Sequence, residues 1–423
     1  MSEFAKQQAR IGSYRWRICA LLFFATTINY LDRSILGILA PTLQHEIGWT
    51  EVEYGYINTA FTAFYAIGLV WFGWFVDRFG TRIGYAVSIT TWSISAMAHA
   101  LVSTVMGFGV VRAMLGVSES GNFPAAIKAT AEWFPKKERA LATGLFNSGA
   151  NIGAIAAPAV VPWLTINYGW PAAFVVTGAT GFVWLVVWMM VYKKPEDEKK
   201  LSKVELNHIM SDNEQVVTEK VPWMKLLKYR QTWAFVLGKF LTDPVWWFYV
   251  TWLGMYLKKN FDVNLKEIGL PLVLIFTMAS VGSIGGGWLS GFLIDRGMSV
   301  NKARRTTMLI FAALVVPVVV AANLSNMWLA VFIIGIAAAS HQGWSANIFT
   351  TVSDMFPKKA VGSVVGLGGL GGSVGGMLFM AASGHIVSIT GSYMSLFIIC
   401  GCAYLLALGL MTLLTWKVKP VDL

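Results

Sequence analysis

The stretch INYLDRSIL (Ile28 to Leu36) places Asp32 and Arg33 side by side inside an apolar run that extends from about Ile18 to Pro41. Four further charges sit deep in similar runs: Arg112 and Glu119, seven residues apart, and Lys239 and Asp243, four apart. A charge at a bilayer centre costs roughly 2.5–3.5 kcal/mol on insertion scales. Six such residues must pair with one another, line water, or both. Asp32 and Glu119 with Arg33 and Arg112 make two acids and two bases, which cancel when a site is empty. An anion that engages an arginine loosens that arginine's hold on its carboxylate, and the carboxylate then accepts a proton more readily. Anion and proton binding then favour each other by linkage.

Spacing sharpens this reading. At 1.5 Å per residue, Asp32 lies ~12 Å below the outer end of its run and Arg112 ~10 Å below the outer end of its own, so the two are level. Glu119 lies two helical turns beyond Arg112, on the same face and ~10 Å deeper. The expectation is one cavity with Asp32, Arg33 and Arg112 in its upper part and Glu119 below. Lys239 and Asp243 are read as an intrahelical pair, and Pro244 directly after them as an interruption of the helix.

Polar groups suited to a hydroxyl-rich ligand accompany these charges. Tyr30, Tyr65, Asn147, Asn151, Trp246, Gln342, Trp344, Ser345 and Asn347 are candidates, the two asparagines sharing a helix face. His341 reads more simply as a packed histidine.

The elements that must position these residues are membrane helices. Of 423 residues, 56% are hydrophobic and 13% charged, about half the charged share of a soluble protein. Apolar runs recur near 18–40, 54–76, 84–103, 105–127, 140–162, 170–192, 232–257, 268–293, 306–323, 327–350, 360–382 and 391–416. Each can cross a hydrocarbon core of ~30 Å, and their continuity excludes alternating barrel strands. The fold class expected is an all-α polytopic membrane protein with twelve transmembrane helices in two six-helix bundles. The first run is too long, and too charged at Asp32 and Arg33, for a cleavable signal peptide. Cys19, Cys400 and Cys402 all fall in apolar runs and read as small packers rather than a disulfide or metal framework.

The net charge of +11 follows the same pattern. Apart from Arg33, Arg112 and Lys239 within runs, only Lys258, Lys259 and Lys266 depart from a simple rule. Every other Lys and Arg falls in a tail or in a loop after an even-numbered run. That asymmetry puts both termini in the cytoplasm and removes nucleic acid as an implied partner.

The one long polar segment, between runs six and seven, suggests residues 1–192, a cytoplasmic linker 193–230, and residues 231–423 as the organisation. Within it, Ser202 and Glu205 have capping-box spacing before a short surface helix. Two landmarks recur between the halves. GWFVDRFGTR begins at Gly73 and GFLIDRG at Gly291, 218 residues on; EWFPKKERALATGL begins at Glu132 and DMFPKKAVGSVVGL at Asp354, 222 residues on. Nearly equal offsets point to duplication. Gly73, Asp77, Arg78, Asp295 and Arg296 in these loops are read as a conformational latch.

Gly73-x-x-x-Asp77-Arg78-x-Gly80-x-Arg82 resembles the signature loop of the major facilitator superfamily. NYLDR, RAMLGVSESGNFPA, EWFPKKERALATGLFNSGANIGA, KFLTDPVWWF and SHQGWSANIFTTVSDMFPK resemble, more narrowly, its anion:cation symporter family, and most of all bacterial hexuronate transporters. The resemblance implies alternating access about a midplane site in a bacterial inner membrane. It also implies that Asp32 and Glu119 couple protons while Arg33 and Arg112 engage the substrate. The expected partners are a sugar-acid anion such as galacturonate or glucuronate, protons and the bilayer. Aldonates such as galactonate are the alternative cargo.

No cofactor or metal is expected, and no enzyme activity. The glycine-rich GLGGLGGSVGG (Gly366 to Gly376) lies within a membrane run with no strand before it, so close helix approach is a better reading than nucleotide binding. No nucleotide-binding P-loop, paired metal-ligand motif or nucleophile triad is present. A sensor would usually add an output domain, which the linker is too short to hold.

Overall fold

The computed structural model describes residues 12–212, 221–261, 269–415 and 421. Among these there is no strand. Twelve helical spans follow in order: Tyr14–Ile47, Glu51–Phe79, Thr81–Ala98, a broken fourth span (Val105–Glu119 and Asn122–Trp133), Lys136–Tyr168 and Trp170–Val191. After the linker come Arg230–Phe261, Gly269–Asp295, a broken ninth span (Val300–Val315 and Val318–Ala321), Met327–Met355, Val361–Thr390 and Met394–Leu414. Nine are long and apolar enough to cross a membrane by themselves. Spans three, four and seven complete the set: span three is short, span four is broken, and span seven carries Lys239 and Asp243. Lys266 lies outside the described residues.

Local chemistry sets the ends. Thr50 and Glu53 form a reciprocal capping box at the start of span two. Gly80 (φ 88°) and Gly169 (φ 84°) are the single residues joining spans two to three and five to six. Such a left-handed link strains any residue with a Cβ. The break in span four falls at Ser120–Gly121, just beyond Glu119; a Cβ on Gly121 would stand 2.5 Å from the Ser88 hydroxyl oxygen. Pro244 does not interrupt span seven, which runs unbroken from Arg230 to Phe261. A membrane helix tolerates the lost N–H where neighbours re-satisfy the backbone.

The linker helix forms with half of the expected capping box, the Glu205 carboxylate being taken by Arg15 instead of the Ser202 N–H. It spans Lys203–Ile209, and the Ser202 hydroxyl accepts from the Glu205 N–H. It is clamped to the first six spans. Arg15 contacts both Glu138 (2.7 Å) and Glu205 (3.2 Å), and His208 meets Glu138.

Spans five and eight, and spans two and eleven, pack backbone to backbone. A Cβ on Gly144 would stand 2.2 Å from the Ser283 carbonyl, one on Gly287 2.2 Å from that of Ala140, and one on Gly366 2.2 Å from that of Leu69. All three contacts lie in the half of the membrane nearer the two chain ends, the tail side. The other face of the span-eleven glycine stripe receives span seven, with Asp243 against Gly372 and Phe240 against Gly375. The stripe therefore serves close helix approach.

Candidate functional site

Arg33 is the centre of the charged cluster. Its Nε donates to Glu119 Oε2 at 2.9 Å, and its guanidinium stands 4.7 Å from the rings of Tyr30 and Tyr65 and 5.2 Å from that of Phe61. Rings in this position favour a cation by their quadrupole and fix where the fork can point. Arg112, across Phe61 at 5.1 Å, donates from Nη2 to the Arg33 carbonyl at 3.1 Å. Its Nε and Nη1 are buried without a partner, as is Glu119 Oε1. The cluster thus holds unspent donors and acceptors, which a ligand can satisfy.

The depth estimate needs correction at two points. Arg33 reaches down to Glu119 rather than staying level with Arg112: its carbonyl accepts from Arg112 while its Nε donates to Glu119. Asp32 does not join either arginine. Consecutive helical residues point ~100° apart, so when Arg33 faces spans two and four, Asp32 faces span six. Both Asp32 oxygens are buried without a hydrogen bond. Thr177 lies beside it and donates its own hydroxyl hydrogen to the Ala173 carbonyl at 2.9 Å.

The remaining candidates divide. Asn147 donates to Gln342 Oε1 (2.7 Å) and to the Ser283 hydroxyl (3.2 Å), so it bridges the first six spans to the last six. Asn151, one turn along, is buried with neither amide atom partnered. Trp246 stacks on His341 at 5.1 Å, and His341 Nδ1 meets the Tyr404 hydroxyl at 2.5 Å. Ser345 lies on the same span, almost buried.

Two further candidates make packing contacts, while Trp344 Nε1 and Asn347 Oδ1 stay buried without a partner, like the Asn151 amide. Trp344 is fully buried against Tyr404, ring centroids 5.5 Å apart. Asn347 donates to the Gly286 carbonyl (3.0 Å) and the Gly343 carbonyl (2.9 Å), tying span ten to span eight. Span ten is buried on every side from Ser340 to Met355, so polarity alone did not separate cavity from core.

The loop motifs lie where the two sets of six spans meet. Asp77 accepts from the backbone N–H groups of Gly362 (3.1 Å) and Ser363 (2.6 Å), at the start of span eleven, and from Lys128 Nζ at 2.9 Å. The free N–H groups and dipole of a helix start suit an anion. Gly73 packs on the Gly362 carbonyl. Arg78 is exposed over Trp74 and Phe79 at 5.8 Å. In the second copy Asp295 pairs with Lys137 at the start of span five, and Arg296 lies over Phe292 at 4.7 Å.

Sequence reading missed the partners. Lys128 falls one residue beyond the expected end of span four, yet the broken helix carries it into the core. Asp354, within the quoted repeat, is held by Arg304 (3.0 Å) and Arg139 (3.8 Å). Arg304 also donates to the Lys136 carbonyl at 2.6 Å, and Arg139 to that of Ser353 at 2.6 Å. Phe123 stacks on Phe349 at 5.4 Å. Each of these bridges lies on the tail side of Arg33 and Glu119.

A twelve-span bundle with a buried charged cluster and duplicated loops bonded across one side is the architecture of a membrane transporter rather than an enzyme. The Major Facilitator Superfamily model matches residues 22–351, and the chain belongs to that family. It is 33% identical over 388 residues to the "Hexuronate transporter" of Escherichia coli (strain K12), covering 90% of each chain. It is 29% identical over 426 residues to the "D-galactonate transporter" of Escherichia coli O6:H1, covering 98% of each. Its fold superposes with a TM-score of 0.74 on the proton:xylose symporter XylE bound to 6-bromo-6-deoxy-D-glucose, at 15% identity, over 96% of this chain and 97% of that one.

Proposed function

We propose that this transporter is a proton-coupled symporter of sugar-acid anions, with hexuronates such as galacturonate or glucuronate as cargo. The observation that carries the reading is the Arg33–Glu119 pair in its aromatic box, with Arg112 donors unspent beside it. A substrate carboxylate takes the free Arg112 fork and competes for Arg33. Charge-assisted bonds of this kind are the strong ones. Glu119, released from Arg33 in a nearly dry site, then takes a proton. Tyr30, Tyr65, Asn147, Asn151, Trp246, Gln342 and Ser345 supply rings, hydroxyls and amides for the sugar body.

Asp32 holds the other proton site. An ionised carboxylate buried without a partner is costly, whereas a protonated one can donate to the Thr177 oxygen. On this reading the conformation described is proton-loaded at Asp32 and waiting for substrate. The tail side is the cytoplasm, by the excess of Lys and Arg in its loops. Residues 1–192 and 231–423 rock about the cluster, joined by 193–230, while the Asp77 and Asp295 loops with Gly73, Arg78 and Arg296 latch the cytoplasmic side.

Aldonates are the second reading, favoured by the likeness to the D-galactonate transporter over nearly the whole chain. Uptake of labelled sugar acids into proteoliposomes under an imposed proton gradient tests both. Accumulation of galacturonate or glucuronate, and none of neutral hexoses, is expected. Accumulation of galactonate with neither hexuronate transported would overturn the hexuronate assignment. Uptake indifferent to the gradient would overturn the coupling.

A further inference from the structure

Span seven carries a second buried ion pair that the account so far leaves unused. Lys239 Nζ meets Asp243 Oδ2 at 2.8 Å, one turn apart on the same helix. Lys239 is almost wholly buried, its ammonium 4.1 Å from the Phe349 ring centre. Asp243 is not: 19% of its side chain is open, against 7% for that of Lys239. The same Oδ2 oxygen packs on Gly372 of the glycine stripe, where a Cβ would stand 2.1 Å from it. Small residues at that contact let span eleven close behind the carboxylate and hold it in place.

The pair lies where the two sets of six spans meet, since Phe349, under the Lys239 ammonium, stacks on Phe123 of span four at 5.4 Å. Asp243 belongs to the last six spans, yet it is close enough to interact electrostatically with the phenols of Tyr30 and Tyr65. Those are the rings that box Arg33. The tyrosines are therefore within electrostatic reach of two ion pairs, Arg33–Glu119 from the first six spans and Lys239–Asp243 from the last six. A purely structural pair would gain nothing from leaving its acid the more open of the two.

We infer that Lys239 and Asp243 form the far pole of the substrate site, reading the end of a sugar acid remote from its carboxylate. This inference rests on the proposed function. A carboxylate is acceptor-only, so Asp243 takes hydrogen bonds from the hydroxyls at that end. The same charge rejects a second carboxylate. Lys239 keeps the pole neutral and, being buried, is reached by no ligand group before Asp243 is. Specificity of this kind works by placing a like charge against the competitor. The pole selects monoanionic sugar acids over the dianionic aldarates, which carry carboxylates at both ends.

Galacturonate and galactarate differ at the far end, where C1 of the uronate is closed into a hemiacetal ring and C1 of the aldarate is an open-chain carboxylate, so it is the change in their affinity ratio on substitution that reports the pole. Their affinities are measured by calorimetry on the purified full chain and on Asp243→Asn. The substitution leaves Lys239 uncompensated, and galactarate should gain relative to galacturonate by about tenfold or more, the scale of one close charge interaction in a partly dry site. Lys239→Gln, which leaves Asp243 unopposed, should shift the ratio the other way and carries the test if the first variant does not fold. Equal loss of both ligands in the folded variants, with the ratio unchanged, would make the pair structural and overturn the inference while leaving the proposed function intact. A parent chain that binds no sugar acid would overturn both.

Discussion

At the scale of single residues the account turns on which polar atoms are left unspent. Arg112 spends Nη2 on the Arg33 carbonyl and keeps two donors buried without partners. Removing its side chain should lower sugar-acid affinity by about thirtyfold or more, since truncating one partner of a buried charge pair costs about 2–5 kcal/mol. Lysine should restore little, because a point charge lacks the planar fork that meets both carboxylate oxygens. Titration of the purified variants reads this directly, and near-normal affinity in Arg112→Ala would take Arg112 out of the site. The positions of the charges were legible because each breaks an apolar run. Their partners were not, because side-chain direction within a helix is a matter of rotation. Asp32 and Arg33 are neighbours in sequence and face different spans for that reason. The contacts of Trp344 with Tyr404 and of Asn347 with the Gly286 carbonyl were not legible either, since span ten is enclosed all round and polarity does not say which neighbour each side chain meets.

At the scale of elements, alternating access requires surfaces that separate and re-form, and the glycines set how closely they meet. Gly287 allows span eight to lie against the Ala140 carbonyl of span five. Gly287→Ala places a methyl 2.2 Å from that oxygen and should destabilise the tail-side closure by about 1–3 kcal/mol, the usual cost of overpacking. The tail-side-open state should then grow in population. Spin-label distances between Lys137 and Asp295, each replaced by cysteine, would show it as a longer component; an unchanged distribution would mean that span eight is not a closing surface. The span count and the linker helix could be read from hydropathy and capping alone. The break at Ser120–Gly121 could not, because the residues beyond it are apolar enough to look like one helix. Pro244 misled in the opposite sense, as its lost N–H does not end a helix supported by packed neighbours.

At the scale of the whole molecule, the charge asymmetry and the cluster together give direction to the cycle. Epitope tags at both ends should be cleaved by protease in inverted membrane vesicles and protected in intact spheroplasts. The opposite pattern would reverse the inward sense of transport. The central claim is that Glu119 must give up a proton on the cytoplasmic side for an empty carrier to return. Glu119→Gln keeps the hydrogen-bonding shape of a protonated carboxyl but cannot release a proton. The deciding measurement is substrate counterflow and gradient-driven uptake in the same proteoliposomes for parent and Glu119→Gln. The account predicts that counterflow persists, because exchange needs no deprotonated empty carrier, while accumulation against the substrate gradient is lost. A Glu119→Gln transporter that accumulates substrate as well as the parent would contradict it.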